Sequence, residues 1–151
     1  MKYRLLAPGP TPIPDRVLSV MSRAIVHHRT PAFEAVFETC QKGLKWLLGT
    51  DNDVLMLSCS GTGSFEAIIQ NFFSRGDVVL CVGGGKFGER WGQMARAFGA
   101  EGIDINVEWG KPVTINQVKE ALEKFPNAKG VVCVASETST GVRHPYEEIG
   151  S

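Results

Sequence analysis

Residues 58–64 read Ser58-Cys59-Ser60-Gly61-Thr62-Gly63-Ser64 and join a short apolar run, Val54 to Leu57, to a periodic apolar segment. The periodic segment repeats apolar residues at the three-and-four spacing of one helix face: Phe65, Ile68, Ile69, Phe72 and Phe73. We therefore predict a strand, a glycine-rich turn and a helix from Ser64 to Ser74.

The chemistry of this turn favours an anion. The first N–H groups of a helix have no intrahelical partner and attract negative charge, and the two glycines allow a ligand to approach the backbone closely. Ser60, Thr62 and Ser64 add hydroxyl donors. The lysine of a P-loop is absent, so a single phosphate monoester fits better than a nucleoside triphosphate. The alternative is an ordinary turn in which a hydroxyl caps the helix.

Composition argues against several classes of partner. The chain has 151 residues, with 16 acidic and 16 basic side chains, so no strong field favours nucleic acid or an anionic membrane. No apolar run is long enough to cross a bilayer, and residues 1–14 lack an apolar signal core. The cysteines are dispersed in apolar segments, which predicts buried free thiols, no metal site and a cytoplasmic location: Cys40, Cys59, Cys81 and Cys133.

The first third of the chain predicts an arm followed by two helices. Four prolines between Pro8 and Pro14 predict an extended N-terminal arm over residues 1–14. Pro14 suits the start of a helix, and Thr30 with Pro31 begins a second helix that Gly49 ends. One face of the first helix is apolar, at Val17, Leu18, Met21 and Ile25.

From Val54 onward the sequence alternates between candidate strands and helices. This alternation predicts an α/β domain over residues 15–151, with a mostly parallel sheet flanked by helices. In such sheets ligands bind at the carboxyl ends of the strands. The predicted strands are Val54 to Leu57, Val78 to Val82, Gly102 to Val107 and Gly130 to Ala135. Two more helices are predicted after Ser74. One runs from Gly88 to Phe98, and the other begins at a capping box formed by Thr114 and Gln117.

The loop after the predicted strand Val78 to Val82 has two functional interpretations. It reads Gly83-Gly84-Gly85-Lys86-Phe87-Gly88 and formally matches GxGxxG, with Asp104 roughly 20 residues on as a ribose acceptor. An NAD(P)- or flavin-binding domain is therefore one alternative. In the other interpretation Phe87 is a flat apolar surface for an aromatic cofactor ring. Simple packing of Phe87 in the core is the third possibility.

The loop from Ser136 to Gly141 is rich in hydroxyls, which can hydrogen-bond a phenolate-type oxygen. A phosphate cradle, an aromatic surface and a hydroxyl loop at three strand ends together suit pyridoxal phosphate, which has a phosphate, a flat ring and a ring oxygen.

With these motifs the chain resembles the class V aminotransferases of fold type I, especially the alanine–glyoxylate and serine–pyruvate aminotransferases. The motifs that carry the resemblance are Pro8-Gly9-Pro10-Thr11, Ser60-Gly61-Thr62-Gly63, Gly85-Lys86-Phe87-Gly88-Glu89-Arg90 and Glu137-Thr138-Ser139-Thr140-Gly141-Val142. Some members have Trp at the Phe87 position and His at the Thr62 position.

The resemblance implies a role for six residues. Ser60, Gly61 and Thr62 would bind the cofactor phosphate, Phe87 would stack on the ring, and Thr138 would reach the ring oxygen. Gly9 would lie at the substrate. The lysine that carries the cofactor would lie beyond Ser151, and Lys86 is the rival for that role, disfavoured because positive charge is unfavourable at a helix N-terminus.

The resemblance also implies an incomplete enzyme. Residues 15–151 would be the N-terminal part of the large cofactor-binding domain, inactive alone, with the strand at Val54 to Leu57 paired to later sequence. The remainder of the chain or a companion fragment would complete it, and the intact enzyme would be a homodimer. It would transfer an amino group from a small amino acid, alanine or serine, to a 2-oxo acid, glyoxylate or pyruvate, without a nucleic acid or membrane partner.

Overall fold

The computed structural model describes residues 5–151, which form two compact units that divide between Leu57 and Ser58. This division differs from the predicted boundary after Pro14, and the domain assignment stays a prediction. Residues 1–4 of the predicted arm lie outside the described residues.

The first unit contains two helices. Leu5 to Pro14 form neither helix nor strand. Helix α1 spans Asp15–Met21 and α2 spans Pro31–Leu48. The α2 prediction is confirmed at both ends: the Thr30 hydroxyl accepts a hydrogen bond from the Phe33 N–H at 3.4 Å, and Gly49 adopts φ 62°.

Helix α1 is shorter than predicted. It ends at Met21, so Ile25 does not lie on its face and is 99% exposed. The Ser22 hydroxyl donates to the Ser19 carbonyl at 3.0 Å. Such local side-chain bonds compete with the backbone ladder of a helix, which weakens its continuation.

The second unit is an α/β layer structure. Its elements in chain order are α3 (Gly61–Phe72), β1 (Val78–Val82), α4 (Gly88–Ala97), β2 (Glu101–Ile105), α5 (Ile115–Lys124), β3 (Ala128–Val132), β4 (Ser136–Glu137), β5 (Val142–Arg143) and α6 (Tyr146–Ile149). Within the described residues β1 is the centre of a three-stranded parallel sheet in the order β2-β1-β3. The short strands β4 and β5 form an antiparallel pair that the sequence did not predict.

The core lies on both faces of β1, whose five residues are all buried. Val79 and Cys81 belong to the apolar cluster that contains residues of α3 and α4, and Leu80 and Val82 belong to the cluster that contains Val118 of α5. The predicted parallel sheet with helices on both faces is therefore confirmed. This arrangement brings the loops after β1 and β3 to one edge of the sheet, because β1 and β3 are parallel neighbours.

The predicted strand at Val54 to Leu57 is wrong for this structure, since these residues form no strand and Leu55 is 79% exposed. A strand needs a neighbour with which to exchange backbone hydrogen bonds. The described sheet contains β1, β2 and β3 only, and the resemblance places the neighbour of this segment in other sequence.

Helix α3 begins at Gly61, before the predicted Ser64, so the glycines lie in its first turn. Ser60 is the N-cap residue, with extended backbone at φ −82° and ψ 174°. A Cβ on Gly63 would lie 2.6 Å from the Cys59 sulfur. Glycine at this position therefore lets the chain turn tightly from the loop into the helix.

The prediction of four buried thiols is wrong for Cys40 and Cys59, which are exposed. Cys40 lies on α2, a helix without a buried residue, and Cys59 lies in the loop before α3. Burial raises the pKa of Cys81 to about 12 and that of Cys133 to about 11, so both thiols stay protonated near neutral pH. Among residues 5–151 we find no helix with the length and hydropathy needed to cross a membrane.

Candidate cofactor site

The site is built where the N-termini of α3 and α4 meet. The Arg90 guanidinium donates a hydrogen bond from Nη1 to the Thr62 hydroxyl at 2.7 Å, and its Cζ lies 5.4 Å from the centroid of the Phe87 ring. Phe65 of α3 stacks on Trp91 of α4 with ring centroids 4.0 Å apart. The fold thus brings together Thr62 and Phe87, which the sequence predicted for the phosphate and the ring.

The N-terminus of α3 is open to an anion. Ser60 forms no side-chain capping bond, and the first turn carries no acidic residue, within the part of the chain that the structure describes. The initial N–H groups of the helix, at Gly61 and Thr62, have no intrahelical acceptor. Together with the helix dipole and the nearby Arg90 cation, they form an electropositive point at this end of α3.

The N-terminus of α4 is, in contrast, already filled. The Glu137 carboxylate is fully buried, at 0% exposure. Its Oε2 accepts from the Phe87 N–H at 3.1 Å and from the Gly88 N–H at 2.8 Å. Its Oε1 accepts from the Ser139 N–H at 3.1 Å and the Ser139 hydroxyl at 2.6 Å, and the Lys86 N–H donates to that hydroxyl at 2.9 Å.

These contacts weaken the dinucleotide alternative. In a GxGxxG site the helix N–H groups bind a pyrophosphate, but here a carboxylate of the chain itself occupies them. Asp104, the supposed ribose acceptor, forms a salt bridge with Arg96 at 3.0 Å. Both anchors that a dinucleotide would need are engaged in contacts within the protein.

Thr138 and Gly9 are the remaining residues that the sequence predicted for the site. Thr138 is exposed and follows Glu137 directly, at the start of the turn between β4 and β5. Gly9 lies in the first unit, immediately before a cis Gly9–Pro10 peptide. The roles of Ser60, Gly61, Thr62, Phe87, Thr138 and Gly9 stay predictions.

Sequence reasoning missed the three polar residues that organise the site: Arg90, Glu137 and Ser139. Glu137 entered the prediction only as part of a motif, although an acidic residue two positions after the predicted apolar strand Gly130 to Ala135 is itself a signal, because a buried carboxylate needs several donors. Arg90 carried no comparable signal, since an arginine on the first turns of a helix is usually solvated.

A buried histidine lies close to the same edge. His144 is 1% exposed, and its Nδ1 accepts a hydrogen bond from the Val113 N–H at 3.0 Å. Burial lowers its pKa, and the Glu137 charge opposes that shift. Burial by itself raises the pKa of Glu137, but hydrogen bonds from Ser139, Gly88 and Phe87 outweigh it and hold that pKa below its usual value.

Acid is therefore expected to destabilise the protein in two stages. Because the folded state lowers the pKa of His144, stability is full above the unfolded pKa of about 6.5 and falls as the pH drops below it. The Glu137 contribution is full above an unfolded pKa of about 4.3 and falls as the pH drops further. Urea unfolding between about pH 7.5 and 3.5 measures both stages.

Two variants test the assignment of the upper stage to His144. His144→Gln should remove the upper stage, whereas the exposed His28 changed to Gln should leave it intact. A free energy of unfolding that stays constant between about pH 7 and 5 would contradict the assignment to His144.

Comparison with known proteins decides the family. Residues 4–151 match the family model for Aminotransferase class-V. The chain belongs to this family. The chain is 35% identical over 144 residues to the serine–glyoxylate aminotransferase of Methylorubrum extorquens. The aligned region covers 93% of this chain and 36% of that protein. The chain is 41% identical over 152 residues to a soluble hydrogenase 42 kDa subunit of Anabaena cylindrica, covering 99% of this chain and 40% of that protein.

A solved structure supports the same assignment. The alanine–glyoxylate aminotransferase of Nostoc sp. matches with a TM-score of 0.85 and 37% identity, over 96% of this class V chain and 39% of that chain. The predicted fold, part of a fold type I pyridoxal-phosphate-dependent transferase, is confirmed. The chain spans about two fifths of the length of the curated relatives that it matches, 39% and 40% in the first two.

Proposed function

We propose that this chain is the N-terminal part of the cofactor-binding domain of a pyridoxal-phosphate-dependent aminotransferase. The observation that carries the proposal is the contrast between two glycine-rich helix N-termini on one edge. That of α4 is filled by Glu137, while that of α3 has no side-chain cap and adjoins the Arg90 guanidinium. A phosphate-sized anion therefore has one favourable position, at the N-terminus of α3. The Arg90 guanidinium beside that position also lies 5.4 Å from the centroid of the Phe87 ring.

The proposed substrates are a small amino acid, alanine or serine, and glyoxylate or pyruvate as the acceptor. Support comes from relatives whose names specify serine–glyoxylate and alanine–glyoxylate aminotransferases. A relative named L-aspartate–glyoxylate aminotransferase, at 31% identity, shows that the amino donor varies more than the acceptor among these names. Glyoxylate is accordingly the acceptor for which the comparisons provide most support.

The residues of this chain would bind the cofactor and hold it in a fixed orientation. Ser60, Gly61 and Thr62 would hold the cofactor phosphate through backbone and hydroxyl donors. Phe87 would cover one face of the ring and exclude water from it, and Thr138 would donate to the ring oxygen. When bound, pyridoxal phosphate supplies an electron sink for the bond broken at the substrate α-carbon.

The remaining parts of the site and the assembly are also proposed. The lysine that carries the cofactor would lie beyond Ser151, and Gly9 would lie at the substrate. The remainder of the chain or a companion fragment would complete the sheet, and the enzyme would act as a homodimer in the cytoplasm, without nucleic acid or membrane. Four free cysteines among residues 5–151 support a reducing compartment.

Titration of the full-length protein with pyridoxal phosphate tests the proposal. We expect a new absorbance band in the near-ultraviolet to violet region. We also expect the loaded protein to transfer the amino group of alanine or serine to glyoxylate. Titration with NADH is the matched control for the dinucleotide alternative, and we expect no binding. A protein that takes up NADH but not pyridoxal phosphate, or neither, would contradict the proposal.

Borohydride reduction followed by peptide mapping tests the position of the lysine. We expect the reduced adduct on a lysine outside this chain. Lys86 is exposed and its backbone N–H is bound by Ser139. A stoichiometric adduct at Lys86 would show that this chain carries the lysine itself.

A further inference from the structure

We propose that Glu137 is a positioning residue that holds the Phe87 ring surface and the Thr138 hydroxyl in a fixed relation for the cofactor. This inference rests on the proposed function and assigns a role to a carboxylate that the predicted cofactor contacts leave unused.

The carboxylate joins two loops that are distant in sequence. Its Oε2 binds the backbone N–H groups of Phe87 and Gly88, across 50 and 49 residues respectively. Its Oε1 binds Ser139 in its own loop, through both the N–H and the hydroxyl. Because β1 and β3 are neighbours, the loops after them meet at one edge, and Glu137 is the bridge between them.

The bridge sets the orientation of Phe87 in particular. Phe87 is the N-cap residue of α4, with φ −86° and ψ −33°, and its own side chain forms no capping bond. Glu137 supplies that cap from another loop. A bond to the Phe87 N–H limits rotation of the backbone from which the ring projects, so the ring surface is set before the cofactor arrives.

The surrounding residues leave little room for another arrangement. A Cβ on Gly85 would collide with the Glu137 Cγ and Cδ atoms and would lie 2.7 Å from the Ser139 hydroxyl. The absence of a side chain at Gly85 thus allows the carboxylate to reach the α4 N-terminus. Thr138 follows Glu137 directly, so the same bridge also fixes where Thr138 lies relative to Phe87.

A double-mutant cycle in the full-length protein tests the proposal. Glu137→Gln keeps the shape of the side chain but replaces one acceptor oxygen by an NH₂ donor. Either the Phe87 and Gly88 N–H groups or the Ser139 N–H and hydroxyl therefore lose their acceptor. We expect the affinity for pyridoxal phosphate to fall about tenfold. In a Phe87→Ala background the same change should lower affinity by less than about fivefold, because only the part of the effect that acts through Thr138 remains.

A spectroscopic readout separates positioning from general stability. The circular dichroism of the bound cofactor reports how the ring is held, and we expect Glu137→Gln to reduce it at cofactor saturation. Glu123→Gln, at an exposed position of α5, is the matched control and should leave affinity and dichroism unchanged. Ser139→Ala removes one support of the carboxylate and provides a milder variant, with an expected loss of about threefold, if Glu137→Gln does not fold.

The outcomes are distinct. If the wild type takes up no pyridoxal phosphate, the proposed function fails and this inference fails with it. If the wild type binds the cofactor but the losses from Glu137→Gln or Ser139→Ala multiply fully with that from Phe87→Ala, or the dichroism is unchanged, the proposed function stands and the positioning role is overturned.

Discussion

Gly88→Ala is expected to lower the free energy of unfolding by about 2 to 4 kcal/mol, the largest effect on stability that we predict. A Cβ at this position would lie 2.7 Å from the Gly83 carbonyl oxygen and 2.9 Å from the Val82 carbonyl oxygen. These are backbone atoms at the end of a buried strand, so they cannot move aside as a flexible side chain would. Relief of the contact would also pull the Gly88 N–H away from Glu137.

Urea unfolding of the protein and the variant measures this effect. Gly43→Ala is the matched control, because Gly43 lies inside α2 and a Cβ there meets no atom within 4 Å. The control should gain about 0.5 to 1 kcal/mol from the higher helix propensity of alanine. Equal stability of the wild type and Gly88→Ala would show that the loop accommodates a side chain and would contradict the close approach.

Phe87→Ala is expected to weaken binding of pyridoxal phosphate by about 1 to 3 kcal/mol, or roughly 5- to 150-fold. The variant removes the ring surface but leaves the backbone N–H that Glu137 binds. Phe87→Trp should retain most of the affinity, since it keeps an aromatic surface at the same place. Equilibrium dialysis of the full-length protein gives the affinities directly.

Thr62→Ala is the comparison for this loss and is expected to cost less, about 0.5 to 1.5 kcal/mol. It removes the hydroxyl that accepts the Arg90 hydrogen bond at 2.7 Å but leaves the backbone donors of α3 in place. Equal affinity in the wild type, Phe87→Ala and Thr62→Ala would mean that Phe87 only packs against its neighbours and that the ring contact is absent.

Much of the fold could be predicted because its signals are local. The Thr114 hydroxyl accepts from the Gln117 N–H at 3.2 Å and the Gln117 side chain accepts from the Thr114 N–H at 2.9 Å, as the capping-box spacing indicated. Gly49 and Gly99 have φ of 62° and 87° where the sequence predicted helix ends. Each of these features depends on residues a few positions apart, so a short window of sequence contains the whole interaction.

The candidate site was predictable only in part. The motifs pointed to Thr62 and Phe87, whose cofactor roles stay predictions, and the alternation of strands and helices implied that their loops share one edge. Glu137 was not predicted as a bridge, because its donors Phe87 and Gly88 lie 50 and 49 residues away and no periodicity connects them to it. For the same reason the sequence alone could not choose between a dinucleotide site and a ring-stacking surface for the Gly83 to Gly88 loop.

The sequence by itself determined the alternation of helices and strands after Ser64, both ends of the helix Pro31–Leu48 and the central strand Val78–Val82. Only the tertiary structure decided which helix N-terminus is open and that Val54 to Leu57 is not a strand in the described residues. The physical reason is the range of the interactions. Helix propensity and capping act within one or two turns, whereas strand pairing and the burial of Glu137 depend on partners that are supplied by distant parts of the chain.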